Sequence, residues 1–346
     1  MKIHFFRNLS DNPESTPFVQ ELIRQKIDYK IFPMGRVKLN YKRRLWLYFI
    51  GWPRLAARAF RLGASSLLSR PRPDAVVVGS HLEVLALAFL KRILRRKETK
   101  IIFLGFIYTP RQSRLLSRLR HLYFTSVLSQ TDLILCHSRF EAAQNAMLFK
   151  LRGARFESIP YGIHVHGVNE SPPGQPDYAF SAGRSSRDYE LLIQVFSSLP
   201  YPLRIACDYL PGLDVAKLPA NVTLLRDCYD DKYMRELGGA RLVVIPIKSE
   251  SISAGQMVLL QAMAVRKPII ITRTATTAEY VPDDESTALL VDKGDAGGLR
   301  KAVEKAWNDR HLAHKLGENA FTAFQERFSI AAYIRNIVSA IQGISA

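Results

Sequence analysis

The chain has 346 residues, 47% of them hydrophobic, and a net charge of +18. That length and apolar content predict two cores and therefore two domains. Cys136, Cys207 and Cys228 have neither metal nor redox spacing and are odd in number, which argues against a disulfide framework and for a reduced, cytosolic setting. No uncharged run reaches the roughly 20 residues of a membrane span, and Met1-Lys-Ile-His-Phe-Phe enters a strand pattern at once, unlike a secretory leader.

The charge is divided unevenly. Residues 1–170 hold 29 Lys+Arg against 11 Asp+Glu, which is the whole +18, while residues 171–346 hold 20 of each. From Arg36 to Arg120 there are 20 basic residues and 3 acidic ones. A bias of this kind points to an anionic partner for the first half alone.

In the first half, apolar runs predict strands at Lys2–Phe6, Asp28–Phe32, Ala75–Gly79, Lys100–Gly105, Asp132–Cys136 and Arg155–Ile159. Helical patterns separate them, the first starting near Ser15 with Pro17 in its first turn. The alternation predicts a doubly wound parallel sheet. The loop after the first strand, Asn8-Leu-Ser-Asp-Asn-Pro-Glu-Ser15, has no glycine, so no phosphate is expected there. The segment Val37–Leu68 sets Trp46, Tyr48 and Trp52 beside Arg54, Arg58 and Arg61 at helical spacing, with Pro53 as a candidate break. Aromatic rings beside arginines suit the headgroup region of a membrane; a solvated basic helix face has the same composition. A second stripe, Arg111, Arg114 and Arg118, shares one helical face, with Leu115, Leu119 and Leu122 on another. Together the stripes favour an anionic surface. His81 and Tyr108 follow strands at their carboxyl ends, where such sheets bind ligands, so both are candidates for chemistry as well as for structural roles.

The run Gly167–Pro176 has the composition of an interdomain linker. Beyond it, strands are expected at Tyr178–Ala182, Leu203–Cys207, Val222–Leu225, Leu242–Pro246 and Pro268–Thr272, with closing helices at Asp295–Asn308 and near Ile330–Ile341. Between the last two strands lies a polar turn, Lys248–Gly255, followed by an apolar helix, Met257–Ala264. Ser253, Ala254, Gly255 and Gln256 would present free backbone N–H groups at that helix's N-terminus, a ready phosphate site. Gln261 lies roughly 12 Å farther along. That spacing suits a nucleotide, with diphosphate at the helix end and ribose beyond.

These residues resemble the donor segment of glycosyltransferase family 4. The likeness rests on Gln261-Ala-Met-Ala264, Lys267-Pro-Ile-Ile270, Glu279-Tyr-Val and Ala288-Leu-Leu-Val291, and on Gly183-Arg184 after a strand. Ser158-Ile-Pro-Tyr-Gly-Ile163 is similar to the family's interdomain crossing. The family carries two glutamates with seven residues between them, for donor-sugar hydroxyls and ribose. Here Ser253 and Gln261 stand at those positions, with Glu250 three residues upstream of the first, and Arg266 replaces a glycine. The resemblance implies that Arg184, with Arg187 in place of a lysine, holds the donor diphosphate. Fixed cations there would stabilise charge growing on the leaving group. The second half would bind the nucleotide sugar through Gly183, Ser253, Ala254, Gly255, Gln256 and Gln261, with Arg184, Arg187, Glu250 and His81 as candidate catalytic groups.

The resemblance implies an α/β chain of two Rossmann-like domains facing across a cleft, the GT-B fold, with an acceptor domain at 1–165, a sugar-nucleotide domain at 166–327 and a closing helix, about 328–346, packing back on the first. The expected activity is sugar transfer from a nucleotide-diphosphate-sugar to a lipid-linked or envelope-polysaccharide acceptor, with retention. No cofactor is expected and no metal, since Asp-x-Asp is missing. The expected partners are the nucleotide sugar, the acceptor and an anionic membrane surface, not nucleic acid. The expected location is cytoplasmic, on the inner membrane face. Two rivals remain: a non-catalytic protein binding membrane or nucleic acid, and a sugar-nucleotide epimerase of the same fold.

Overall fold

Short runs of Val, Ile and Leu closed by Gly or Pro form strands buried on both faces, the pattern of parallel sheets flanked by helices. The computed structural model describes residues 1–7, 16–33, 50–108, 113–165, 177–208, 214–249, 253–282 and 284–344. The loop 8–15, the segment 37–49 with Trp46 and Tyr48, Arg111, Glu250 and the linker 167–176 lie outside the described residues. The chain forms two units, Met1–Ile159 with Ile334–Ala346, and Pro160–Tyr333.

The first unit runs β1 (Lys2–Arg7), α1 (Pro17–Arg24), β2 (Asp28–Pro33), α2 (Trp52–Leu67), β3 (Ala75–Val78), α3 (His81–Ile93), β4 (Lys100–Leu104), α4 (Arg114–Leu128), β5 (Leu133–Cys136), α5 (Arg139–Phe149) and β6 (Arg155–Ser158). Its sheet is parallel, in the order β2-β1-β3-β4-β5-β6. Pro53 sits in the first turn of α2, where its fixed φ suits the start of a helix.

The second unit runs β7 (Ala179–Ala182), α6 (Tyr189–Phe196), β8 (Leu203–Ala206), β9 (Val222–Leu225), α7 (Asp230–Gly239), β10 (Leu242–Ile245), α8 (Gln256–Ala264), β11 (Ile269–Thr272), β12 (Leu289–Val291), α9 (Ala296–Asn308) and α10 (Arg310–Ala323). A last helix, α11 (Ile330–Gln342), follows, and its residues from Ile334 on belong to the first unit. The order of this second parallel sheet is β12-β11-β10-β7-β8-β9. Alternation along its strands splits the core. Val243, Ile245, Ile269 and Ile271 pack on one face, and Leu242, Val244 and Ile270 on the other. Burying each such side chain contributes about 1.5–3 kcal/mol. Two parallel six-stranded sheets with flanking helices make this a two-domain α/β fold.

In the second sheet the chain works outward from β7 to β9 and then outward the other way from β10 to β12. The reversal leaves a crevice at the carboxyl ends of β7 and β10, where ligands bind in such sheets. In the first sheet the corresponding reversal lies between β1 and β3.

Candidate functional site

β7 ends at Ala182 and the chain turns at once. Gly183 has φ +107°, and a Cβ there would lie 2.6 Å from the Arg187 guanidinium, so the position needs glycine twice over. Arg187 donates through Nε to the Ala182 carbonyl at 2.8 Å and through Nη1 to the Ser185 carbonyl at 2.9 Å. The Tyr189 hydroxyl donates to the Gly183 carbonyl at 2.7 Å. Burial holds the Arg187 pKa below its ordinary value. The turn is also tied to the loop after β10. Asp188 N–H donates to Pro246 O (3.1 Å), Lys248 N–H to Ser186 O (2.8 Å) and the Ser186 hydroxyl to Ser249 O (3.0 Å). Asp188 caps α6 by accepting from Leu191 N–H.

A cavity of about 230 Å³ opens beside this turn at the carboxyl ends of β7, β8 and β9. Arg184 and Asp208 line it together with Tyr229, Tyr233 and Gln261. The Arg184 side chain is 68% exposed and pairs with Asp208 at 3.3 Å. Hydrogen bonds from the Tyr229 hydroxyl and Asp227 N–H, with Arg184 nearby, hold the Asp208 carboxyl below the usual range. The Tyr233 hydroxyl donates to Gln261 Oε1 at 2.9 Å, which occupies the acceptor side of that amide.

The N-terminus of α8 is built differently from an ordinary cap. Its N-cap is Gly255, at φ +93°, a residue with no side chain to close the first turn. The Ser253 hydroxyl lies 3.0 Å from that of Thr276, Ala254 is buried, and Gln256 Nε2 donates to the Tyr280 hydroxyl at 3.4 Å.

The first unit has a larger cavity, about 480 Å³, at the carboxyl ends of β3 and β4. His81 lines it as the first residue of α3, its ring 5.9 Å from Trp52, 5.7 Å from Tyr123 and 5.8 Å from Phe124. Burial, with Arg120 nearby, holds the His81 pKa below its ordinary value. Ser80 caps the helix by accepting from Leu82 N–H, and Glu83 accepts from Gly79 N–H at 3.2 Å. Glu83 is 3% exposed, and burial pushes its carboxyl up to about 7. Tyr108 packs its ring on Phe124 and Phe149.

Of the residues expected at a donor site, Gly183, Arg184 and Gln261 line one cavity. Arg187 is not among its lining residues and braces the turn from behind. Ser253, Ala254, Gly255 and Gln256 lie at the α8 N-terminus, as the turn-helix pattern implies. His81 belongs to the first unit's cavity. Asp208, Tyr229 and Tyr233 were not expected, and no sequence spacing joins them to Arg184. Glu83 did carry a signal, because Ser80-x-x-Glu83 before an apolar run is a capping box.

Residues 213–323 match the family model for glycosyl transferases group 1. An uncharacterised glycosyltransferase of Methanocaldococcus jannaschii is 25% identical over 220 residues, 60% of this chain and 58% of that protein. The O-antigen chain mannosyltransferase C of Escherichia coli is 27% identical over 109 residues, 30% of this chain and 29% of that one. The chain thus spans 58% and 29% of the length of these curated relatives. Among solved structures, sucrose-phosphate synthase of Thermosynechococcus elongatus superposes with a TM-score of 0.67 at 15% identity, covering 99% of both chains. Anabaena HepE in complex with UDP and glucose gives 0.65 at 14%, again over 99% of both. The fold is therefore that of the GT-B glycosyltransferases, and the segment that matches glycosyl transferases group 1 includes α8 and Gln261.

Proposed function

We propose that the protein is a glycosyltransferase that takes a sugar from a nucleoside-diphosphate-sugar. The observation carrying this reading is the convergence of Arg184, Gln261 and the Gly183 turn on one cavity at the carboxyl ends of β7, β8 and β9. In this reading Arg184 leaves Asp208 for the donor diphosphate and stabilises its charge as the glycosidic bond breaks. Arg187 and Tyr189 fix the turn that aims Arg184. Gln261, its oxygen taken by Tyr233, offers its amide N–H groups to the ribose. The α8 N-terminus, whose cap residue is the glycine Gly255, complements phosphate with backbone N–H groups. Arg184 supplies the positive charge a metal would otherwise provide, so turnover is expected to survive EDTA. Solved structures of the same fold hold UDP or UDP-glucose, which favours a uridine nucleotide. A thermal-shift panel of UDP-, GDP-, ADP- and TDP-sugars tests the reading. One nucleotide series should stabilise the protein, and no shift with any of them would overturn it.

The acceptor is proposed to be lipid-linked or an envelope polysaccharide, met with the first unit docked on an anionic membrane face. Support comes from α4, where Leu115, Leu116, Leu119 and Leu122 are all exposed, Leu115 at 67%, beside exposed Arg114 and Arg118. On α2, Arg54 and Arg61 are exposed, but Arg58 departs from the expected stripe and lines the cavity. Among the described residues no helix is long and apolar enough to cross a membrane, so docking would rest on this surface, at about 1 kcal/mol per basic residue. Sedimentation with vesicles should require anionic lipid and weaken with salt. Equal partition onto neutral vesicles would contradict it.

A further inference from the structure

The first unit's cavity has more structure than a general acceptor surface requires. Its walls are apolar, with Trp52, Leu55, Phe103 and Phe106 among them, yet two guanidinium groups enter it, Arg58 from α2 and Arg120 from α4. Arg120 stands 5.0 Å from the Phe124 ring centroid and 5.6 Å from that of Tyr108. Its Nε is buried and makes no hydrogen bond. A donor on a charged group kept from water without an acceptor is costly, and an incoming anion removes that cost. The α3 N-terminus opens onto the same space through Gly79, Ser80 and His81, adding positive potential. The one acidic residue among the lining groups, Glu83, is already engaged by Gly79 N–H. Burial, opposed by the Gly79 N–H and the Arg58 charge, pushes it up to about 7, so near neutrality it is only partly ionised.

We infer that this cavity binds the phosphate of an amphiphilic ligand, a phosphomonoester or diester on an apolar stem, with Arg58 and Arg120 on the phosphate and the aromatic wall on the stem. The inference deepens the acceptor reading above, and rests on it, by giving the acceptor a chemical class. The volume supports the stem, since about 480 Å³ is far more space than a bare phosphate fills.

Trp52 provides the readout. In a Trp46→Phe/Trp307→Phe protein it is the sole tryptophan, and it lines the cavity. Its fluorescence would be titrated with hexyl phosphate, inorganic phosphate and hexanol, with UDP present throughout to occupy the second unit. Hexyl phosphate should give a saturable change, about tenfold tighter than inorganic phosphate, and hexanol none. Arg58→Met and Arg120→Met should each weaken hexyl phosphate about tenfold or more, while Arg120→Lys, which keeps the charge, should weaken it less. Equal affinity for hexyl and inorganic phosphate would overturn the apolar stem. No saturable change, or unchanged affinity in the correctly folded Arg variants, would overturn the site. A failure here leaves nucleotide binding by the second unit intact, whereas failure of the donor reading appears as loss of the UDP-sugar thermal shift.

Discussion

The two units share a fold and differ at the same place, the carboxyl ends of their strands. In the second unit, the turn after β7 is fixed from behind by Arg187 and Tyr189 and laced to the loop after β10. Its exposed Arg184 is paired with a carboxylate, Asp208. In the first unit polar groups stand among aromatic rings: burial shifts Glu83 and His81, and the Arg120 Nε is buried. The first arrangement is suited to holding charge in fixed geometry while a bond breaks. The second is suited to taking an anion together with its apolar carrier. Breaking each arrangement separately should therefore give different signatures.

The largest effect is expected from Arg184→Ala. Turnover should fall about 10²–10³-fold while nucleotide affinity changes less, because leaving-group charge develops late. Steady-state kinetics beside nucleotide titration separates the two. An unchanged kcat in a folded variant would remove Arg184 from the site.

Next in size is the pH dependence written by Glu83. Its folded carboxyl titrates at about 7 against 4.5 ordinarily. The folded state therefore holds the proton more tightly than the unfolded chain. That contribution to stability is full below pH 4.5 and is lost as pH rises through 7, by roughly 3 kcal/mol in all. Glu83→Gln keeps the capping geometry and cannot titrate, so its stability relative to wild type should rise between pH 5 and 8. His4 and His137, both held at about 4 by burial, lose stability in the opposite direction as pH falls. They are present in both proteins and cancel in the difference. Denaturant melts across pH measure it, and a flat difference would show that Glu83 is not desolvated.

Gly183→Ala should follow, destabilising by about 1–3 kcal/mol. It places a Cβ at φ +107° against the Arg187 guanidinium. The loss should appear in the melting of the second unit and in nucleotide affinity, and not in Trp52 titrations of the first. Gln261→Leu is the smallest, about 1–2 kcal/mol of nucleotide binding with the Tyr233 hydroxyl left unpartnered. Gln261→Glu should be tolerated. Equal affinity in all three proteins would make Gln261 a helix residue only.

Much of the fold was readable because parallel strands are dense apolar runs. β10, expected at Leu242–Pro246, spans Leu242–Ile245, and β11, expected at Pro268–Thr272, spans Ile269–Thr272. β12 is three residues long, too short for periodicity to mark, and was visible only as part of the resemblance. The second unit's cavity was half readable. Gly183, Arg184 and Gln261 stand on a turn and a helix whose patterns are local. Asp208, Tyr229 and Tyr233 reach them only through the sheet order, which sequence spacing does not encode. Arg58 shows the same limit: helical spacing places it with Arg54 and Arg61, but only the packing of α2 turns it into a cavity.

The most direct test is release of nucleoside diphosphate from a panel of nucleotide sugars, with wild type and Arg184→Ala side by side. One nucleotide sugar should be turned over by wild type and about 10²–10³-fold more slowly by the variant, with both proteins still binding the nucleotide. Binding without turnover of any sugar by wild type, or equal turnover by the two proteins, would contradict a cavity built to stabilise a departing diphosphate.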